Sequence, residues 1–131
     1  MDGGALGHNI RTFKAKLVSA VELPDLNAFA VILAQNPDGS GARLEIQRAL
    51  SFDEQDKQLG QDTYCVSTEE GATHYGGIAS WRFADNGLEI ALDAGAATSL
   101  GFTGFAVELE ANGDTRRVLK EGLERVLNAY N

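Results

Sequence analysis

The stretch YGGIASWRFADNGLEIAL, residues 75–92, contains two runs in which apolar and polar residues alternate. Alternation with a period of two is typical of strands that bury one face. Between the runs lies Asn86-Gly87, the strongest short-range signal for a β-hairpin. Paired glycines weaken a regular strand, so Gly76 and Gly77 predict a β-bulge within the first run. The stretch therefore predicts two neighbouring antiparallel strands.

Similar alternating runs occur on both sides of this hairpin and bring the number of predicted strands to seven. The five further runs are 13–17, 29–33, 44–46, 62–66 and 105–110. Pro24 and Asp25 predict a turn between the first two of them. Arg48 stands where the pattern of the third run calls for an apolar residue, so we expect that strand to end near Arg48.

Three helices are indicated by their end signals and their periodicity. The clearest covers 114–128, with an apolar stripe that consists of Leu119, Leu123, Val126 and Tyr130. A short helix is predicted between Asp93 as N-cap and Gly101 as its end. Another is predicted to begin at Ser51, because Ser51 and Glu54 have the spacing of a capping box, and to end at Gly60.

Together these elements predict an α+β fold in a single domain. We expect a mostly antiparallel sheet of about seven strands, with the C-terminal helix packed on one face and one or two short helices. The domain is predicted over 11–131, and residues 1–10 are predicted to be a flexible leader. With 131 residues and 44% apolar residues, the chain is long enough for one hydrophobic core.

Charge and cysteine content restrict the possible partners and compartment. Lys and Arg total 11 against 19 for Asp and Glu, and the formal net charge is -8. Such a field repels phosphate and anionic lipid, so we expect neither direct nucleic-acid binding nor membrane binding. The single Cys65 cannot form an internal disulfide, and no signal peptide or membrane span is recognisable. A cytoplasmic location is therefore expected.

The acidic stretch SFDEQDKQLGQDTYCV, residues 51–66, does not have the pattern of a metal site. Gln55, Lys57 and Leu59 interrupt the alternating oxygen ligands that a calcium loop needs. A zinc or iron site would need imidazole or a second thiol nearby. The glycine-rich segments GFTGF and YGGI match neither the P-loop nor the dinucleotide fingerprint. No metal and no cofactor is predicted.

A catalytic function would have to rest on Cys65 as nucleophile with His74 as base. A free cysteine in a strand pattern is more commonly a buried core thiol, and a histidine in a polar loop is commonly solvated. Carboxylates for acid-base chemistry are available in 51–66, but nothing in the sequence places one of them in an apolar pocket. No catalytic residue is predicted.

Two segments carry a resemblance to a known family: IQRALSFDEQDKQLGQDTYCV, residues 46–66, and HYGGIASW, residues 74–81. Together they resemble the Imm10 family of immunity proteins, which are encoded beside toxin genes in bacterial polymorphic toxin systems. The positions that match the family pattern are Gln47, Arg48, Phe52, Asp53, Glu54, Asp56, Gly60, Asp62, Tyr64, Tyr75, Gly76 and Gly77. Ser51 and Cys65 depart from it, where an acidic and an aromatic residue are more usual.

The resemblance implies a protein without enzymatic activity that binds and neutralises one cognate toxin domain. The charge of -8 favours a basic partner, such as a nuclease toxin. We expect the contact surface to include Asp53, Asp56, Asp62, Glu69, Glu70 and Tyr75. Two other functions stay open: a small hydrolase that depends on a thiol or a carboxylate, and a regulatory adaptor without a toxin partner.

Overall fold

The computed structural model describes residues 9–60, 63–110 and 113–128. The fold is α+β, as predicted, with nine strands in two sheets. The four-stranded sheet has the order β1-β9-β8-β7 and consists of Ile10–Lys14, Gly104–Glu108, Gly87–Leu92 and Ile78–Ala84. The five-stranded sheet runs from β2 to β6 and consists of Leu17–Leu23, Ala28–Ala34, Arg43–Ala49, Cys65–Thr68 and Thr73–Tyr75. All pairs are antiparallel except β1 with β9.

The count of seven strands was wrong because two of the predicted runs each bend from one sheet into the other. The first bend lies between β1 and β2. There the Ala15 N–H donates to Glu108 O in the four-stranded sheet, and the Lys16 N–H donates to Ala34 O in the five-stranded sheet, both at 2.9 Å. The second bend lies between β6 and β7. Strands that switch sheets at bends are a known way to close a two-layered β-structure.

Gly76 and Gly77 form this second bend. The sequence predicts a bulge within one strand at these residues, and that prediction is wrong. Their φ angles are +70° and +99°, in the left-handed region that favours glycine. A Cβ on Gly77 would also lie 2.4 Å from the Ala96 Cβ. The irregularity in the pairing of β7 lies further along, between Ile78 and Ser80.

The described helices are α1 (Glu54–Gln58), α2 (Ala94–Leu100) and α3 (Gly113–Asn128). The prediction for α2 is confirmed at both ends: Asp93 is the N-cap, and Gly101 ends the helix with a φ of +88°. The C-terminal helix α3 is confirmed as well, and it packs on β2, β3 and β4. Its Gly122 permits close approach, because a Cβ there would lie 2.7 Å from the Ala20 Cβ. Tyr130, the last member of the predicted stripe, lies outside the described residues.

The hydrophobic core lies between the two sheets and beneath α3. The largest fully buried side chains come from β3 to β5, from β8 and β9, and from α3. They are Phe105, Leu33, Leu44, Ile46, Leu88, Leu119, Leu123, Val31, Val66, Val107 and Val126. Burial of this apolar surface is the main favourable contribution to folding.

The sequence predicts that the strand ends near Arg48, but β4 continues through Arg48 to Ala49. The Arg48 side chain is only 5% exposed, and it faces the C-terminal end of α3. Its Nε donates to Val126 O at 2.7 Å, and its Nη2 lies 3.4 Å from Leu127 O. A cation at this end of a helix interacts favourably with the last carbonyl groups and with the helix dipole. A charged residue therefore takes an apolar position in the strand to anchor α3.

The predicted hairpin is present between β7 and β8. Ala84 pairs with Gly87, which leaves Asp85 and Asn86 as the turn. At the start of the chain, residues 1–8 of the predicted leader lie outside the described residues. Ile10 belongs to β1, and the Asn9 side chain donates to Gly101 O at 2.7 Å.

Candidate interaction surface

The outer face of the five-stranded sheet, the side away from α3, carries an unusual row of residues. Register places Val21, Ala30, Gln47, Cys65 and Tyr75 side by side across all five strands. Side chains alternate between the faces of a strand, so these five share the outer face and the next row faces the core. Ala30 is completely buried, whereas Tyr75 at the edge is 45% exposed. The row therefore presents an exposed aromatic side chain at its β6 edge.

A cavity of about 220 Å³ opens on this outer face, between the sheet and α1. Its walls combine two aromatic rings with several groups that accept hydrogen bonds. The lining residues are Leu26, Asn27, Gln47, Ala49, Phe52, Asp56, Thr63, Cys65 and Tyr75. Leu26 and Tyr75 are large hydrophobic side chains that are exposed to solvent. Exposed apolar surface of this kind is a feature of contact sites. The outer row, this cavity and α1 are called the β-face below.

The start of α1 differs from the prediction. The N-cap is Asp53, not Ser51, and its partner in the capping box is Asp56, not Glu54. The Asp53 Oδ1 accepts from the Asp56 N–H at 2.8 Å, and the Asp56 Oδ2 accepts from the Asp53 N–H at 3.1 Å. Aspartate caps a helix as well as serine does. Ser51 with Glu54 and Asp53 with Asp56 both have the spacing of a capping box, so the sequence offered two alternatives. Asp56 thus has a capping function that the sequence analysis did not assign to it.

The predicted contact residues fall into two groups. Asp56 and Tyr75 line the same cavity, and Asp53 is hydrogen-bonded to Asp56. Glu69 and Glu70 follow β5 and lie in the turn to β6, at the opposite end of that hairpin from Tyr75. With 3.3 Å per strand residue, this turn is roughly 10 Å from the cavity. Asp62 lies outside the described residues.

Glu69 is engaged within the fold. Its carboxylate forms a two-pronged ion pair with the Arg11 guanidinium, in which Nη1 donates to Oε1 at 2.8 Å and Nη2 donates to Oε2. Oε1 also accepts from the Arg43 N–H at 3.0 Å. Desolvation raises the pKa of Glu69, but the hydrogen bond from Arg11 and those from the backbone outweigh it and hold the pKa below its ordinary value. Because Arg11 belongs to β1, the pair links the two sheets.

The structure separates the two residues considered for catalysis. Cys65 pairs with Tyr75, whereas His74 pairs with Val66 in the adjacent core-facing row. Cys65 and His74 therefore point to opposite faces of the sheet, and His74 contacts Ser99 Oγ of α2 at 3.0 Å instead. Cys65 is half-buried rather than a core thiol. Desolvation, and then the nearby Glu45 carboxylate, raise the pKa of the thiol, which reduces its nucleophilicity at neutral pH.

Within the described parts of the chain, no three His, Cys, Asp or Glu side chains are grouped so that they could hold a metal ion. Among the described helices, none has both the length and the apolar character that crossing a membrane requires.

Several lining residues of the cavity were not predicted from the sequence as contact residues. Phe52 and Leu26 stand beside turns, where single apolar residues carry no periodic signal. Gln47 was noted only as a position that matches the family pattern. Cross-strand register would have been needed to find Gln47, since it alone places Gln47 next to Cys65, in the same row as Tyr75.

The architecture defines the class of protein: an acidic, single-domain α+β fold in which two sheets are joined by bent strands. A family model described as Immunity protein 10 matches residues 14–117, and the chain belongs to this family. The match covers the five-stranded sheet, β7 to β9, only the last residue of β1, and the first part of α3. No curated protein and no solved structure matches the chain. The family resemblance noted in the sequence is thereby confirmed.

Proposed function

We propose that this protein is an immunity protein that neutralises a cognate bacterial toxin domain by binding to it directly. The observation that carries the proposal is the family match over residues 14–117. The separation of Cys65 from His74 supports binding over thiol chemistry, because a nucleophile and its base must lie within hydrogen-bond reach. Neutralisation by binding requires only a surface complementary to the toxin.

The partner that we propose is basic, and a nuclease toxin is a suitable candidate. The net charge of -8 supports this choice, because complementary charge accelerates association and discourages wrong partners. Action against such a toxin inside the producing cell implies a cytoplasmic location. The protein itself would need no cofactor for this function.

The contact surface that we propose includes Asp53, Asp56 and Tyr75 on the β-face. Exposed aromatic residues are frequent among the residues that dominate binding energy, and carboxylates around them supply charge complementarity. Glu69 and Glu70 belong to a second acidic edge. There Arg11 compensates the Glu69 charge, so we expect Glu69 to contribute less than Asp56. Asp62 remains a predicted contact residue.

The test is co-expression with the toxin domain encoded beside this gene. The toxin domain is placed under an inducible promoter in a bacterial host, with or without this chain, and growth is followed after induction. We expect the chain to restore growth and to co-purify with the toxin domain. A toxin domain from an unrelated system, which the chain should not neutralise, is the specificity control. Continued killing by the neighbouring toxin despite soluble expression of the chain would refute the proposal.

A further inference from the structure

We infer that the cavity on the β-face receives an arginine side chain from a basic segment of the toxin domain. This inference rests on the proposed function, since it names the group that the toxin would present. The inference assigns the basic segment to one specific cavity. The net negative charge of the protein alone would not distinguish this surface from another.

The chemistry of the lining favours a planar cation. Phe52 and Tyr75 provide aromatic rings, and Asp56 provides a carboxylate in the same cavity. A guanidinium group stacks on aromatic faces and donates several hydrogen bonds in one plane, which an ammonium group does not. Asn27 and Gln47 add side-chain carbonyl groups that can accept from such a donor. No lysine or arginine stands among these described lining residues.

A neighbouring cavity has a different lining, so the combination of aromatic rings with a carboxylate distinguishes the first cavity from it. It has a volume of about 300 Å³ and shares Phe52 and Ala49 with the first cavity. Its charged lining residues are Arg48 and Arg125, and no carboxylate stands among these described lining residues. Arg125 is already paired with Glu22 at 2.8 Å and stacks on the Phe29 ring, with 4.2 Å between the guanidinium carbon and the ring centroid. A cationic side chain is therefore favoured on the Asp56 side of Phe52, where the lining includes a carboxylate.

The Asp56 side chain lines the cavity while it caps α1. The capping box uses Oδ2 for the Asp53 N–H, and a carboxylate oxygen has further lone pairs for other donors. Asp56→Asn is therefore a selective probe, because the amide oxygen can still accept from Asp53 while the negative charge is lost. Tyr75→Ala removes the aromatic edge without affecting the cap.

The first experiment measures the binding of purified variants to the toxin domain encoded beside the gene. We expect Asp56→Asn and Tyr75→Ala each to raise Kd by about tenfold or more. The matched control is Glu124→Gln, which removes one exposed charge from α3 on the other side of the five-stranded sheet. It should leave Kd within about twofold. Circular dichroism and urea unfolding establish that each variant is folded.

The second experiment uses Cys65, the only cysteine, as a native probe in the wall of the cavity. N-ethylmaleimide labels the unmodified chain alone and in the toxin complex, and mass spectrometry follows the rate. A toxin side chain in the cavity should slow labelling by at least about tenfold, because thiol reactivity depends on access.

The outcomes distinguish the two proposals. If the wild-type chain fails to bind this toxin domain, both the proposed function and this inference are overturned. If the wild type binds, but Asp56→Asn and Tyr75→Ala match Glu124→Gln and Cys65 is labelled equally fast, only the inference is overturned. On the toxin side, substitution of the inserted arginine by lysine should weaken binding, and no sensitivity to any arginine of the toxin would also contradict it.

Discussion

Asp53 and Asp56 cap each other: each carboxylate accepts a hydrogen bond from the backbone N–H of the other residue. The exchange satisfies backbone groups at the start of α1 that have no partner within the helix. It also explains part of the acidity of this segment by helix formation alone. The two carboxylates keep their charge at the surface, so a structural role and a contact role are compatible in the same residues.

The reciprocal cap predicts that Asp53→Ala destabilises the protein by about 0.5–2 kcal/mol, because it removes the N-cap acceptor. Ser51→Ala is the matched control. The Ser51 hydroxyl lies at 3.5 Å from Asn27 Oδ1 and makes no cap, so its loss should change stability by less than about 0.5 kcal/mol. Urea unfolding measures both variants. A larger loss of stability for Ser51→Ala than for Asp53→Ala would indicate that Ser51 is the N-cap, as the sequence predicts.

The bend between β6 and β7 predicts different costs for two adjacent glycines. Gly76→Ala meets no atom within 4 Å, so only its φ of +70° is unfavourable, at a cost of about 1–2 kcal/mol. Gly77→Ala has the same kind of backbone penalty, and its Cβ would also collide with Ala96. We expect it to cost about 3 kcal/mol or more. Thermal or urea unfolding of the two variants tests this difference. Equal costs would show that α2 packs less closely on the β6–β7 bend than the structure indicates.

The Arg11–Glu69 pair predicts a specific dependence of stability on pH. The pKa of Glu69 is lowered in the folded state, so its contribution to stability is present above the unfolded pKa, near 4.5, and is lost as pH falls through the lower folded value. Glu69→Gln should therefore be less stable than the wild type at pH 7 and should lose less stability on acidification below about pH 4.5. The Glu70→Gln variant serves as control. Parallel stability curves for wild type and Glu69→Gln would contradict this assignment.

The separation of Cys65 and His74 predicts that neither residue supplies chemistry. Cys65→Ala and His74→Ala should both restore growth in the co-expression test, with only the stability loss that truncation of a partly buried side chain brings. The measurement is growth after toxin induction, combined with urea unfolding. A variant that folds and binds the toxin domain but no longer protects the cell would favour the hydrolase function.

Local signals in the sequence were sufficient for α2 and α3. Asp93 and Gly101 fixed α2, and the apolar stripe fixed α3, because both depend on neighbours within a few residues. The bend between β1 and β2 was not recognisable, since alternation of apolar residues continues unbroken through Ala15 and Lys16 while the pairing partner changes. At the second bend, Gly76 and Gly77 indicated an irregularity but not a change of sheet. Periodicity reports which face is buried and does not report which strand lies alongside.

The candidate surface was predictable only in part for a related reason. The sequence indicated Asp53, Asp56 and Tyr75, because acidic and exposed aromatic residues are conspicuous by type. It grouped Glu69 with them because Glu69 is also acidic, whereas the fold directs its carboxylate to Arg11, 58 positions earlier in the chain. Long-range partners decide whether a surface charge is available to another molecule, and such partners are set by topology.

Neutralisation by binding, the central claim, is tested most directly by titrating the activity of the neighbouring toxin domain with the purified wild-type chain. A stoichiometric inhibitor should abolish toxin activity at a fixed molar equivalence, and the toxin should regain activity, with its mass unchanged, once it is separated from the chain and refolded. Substoichiometric amounts of the chain that permanently inactivate the toxin, or a toxin that is chemically altered after contact with it, would contradict the account.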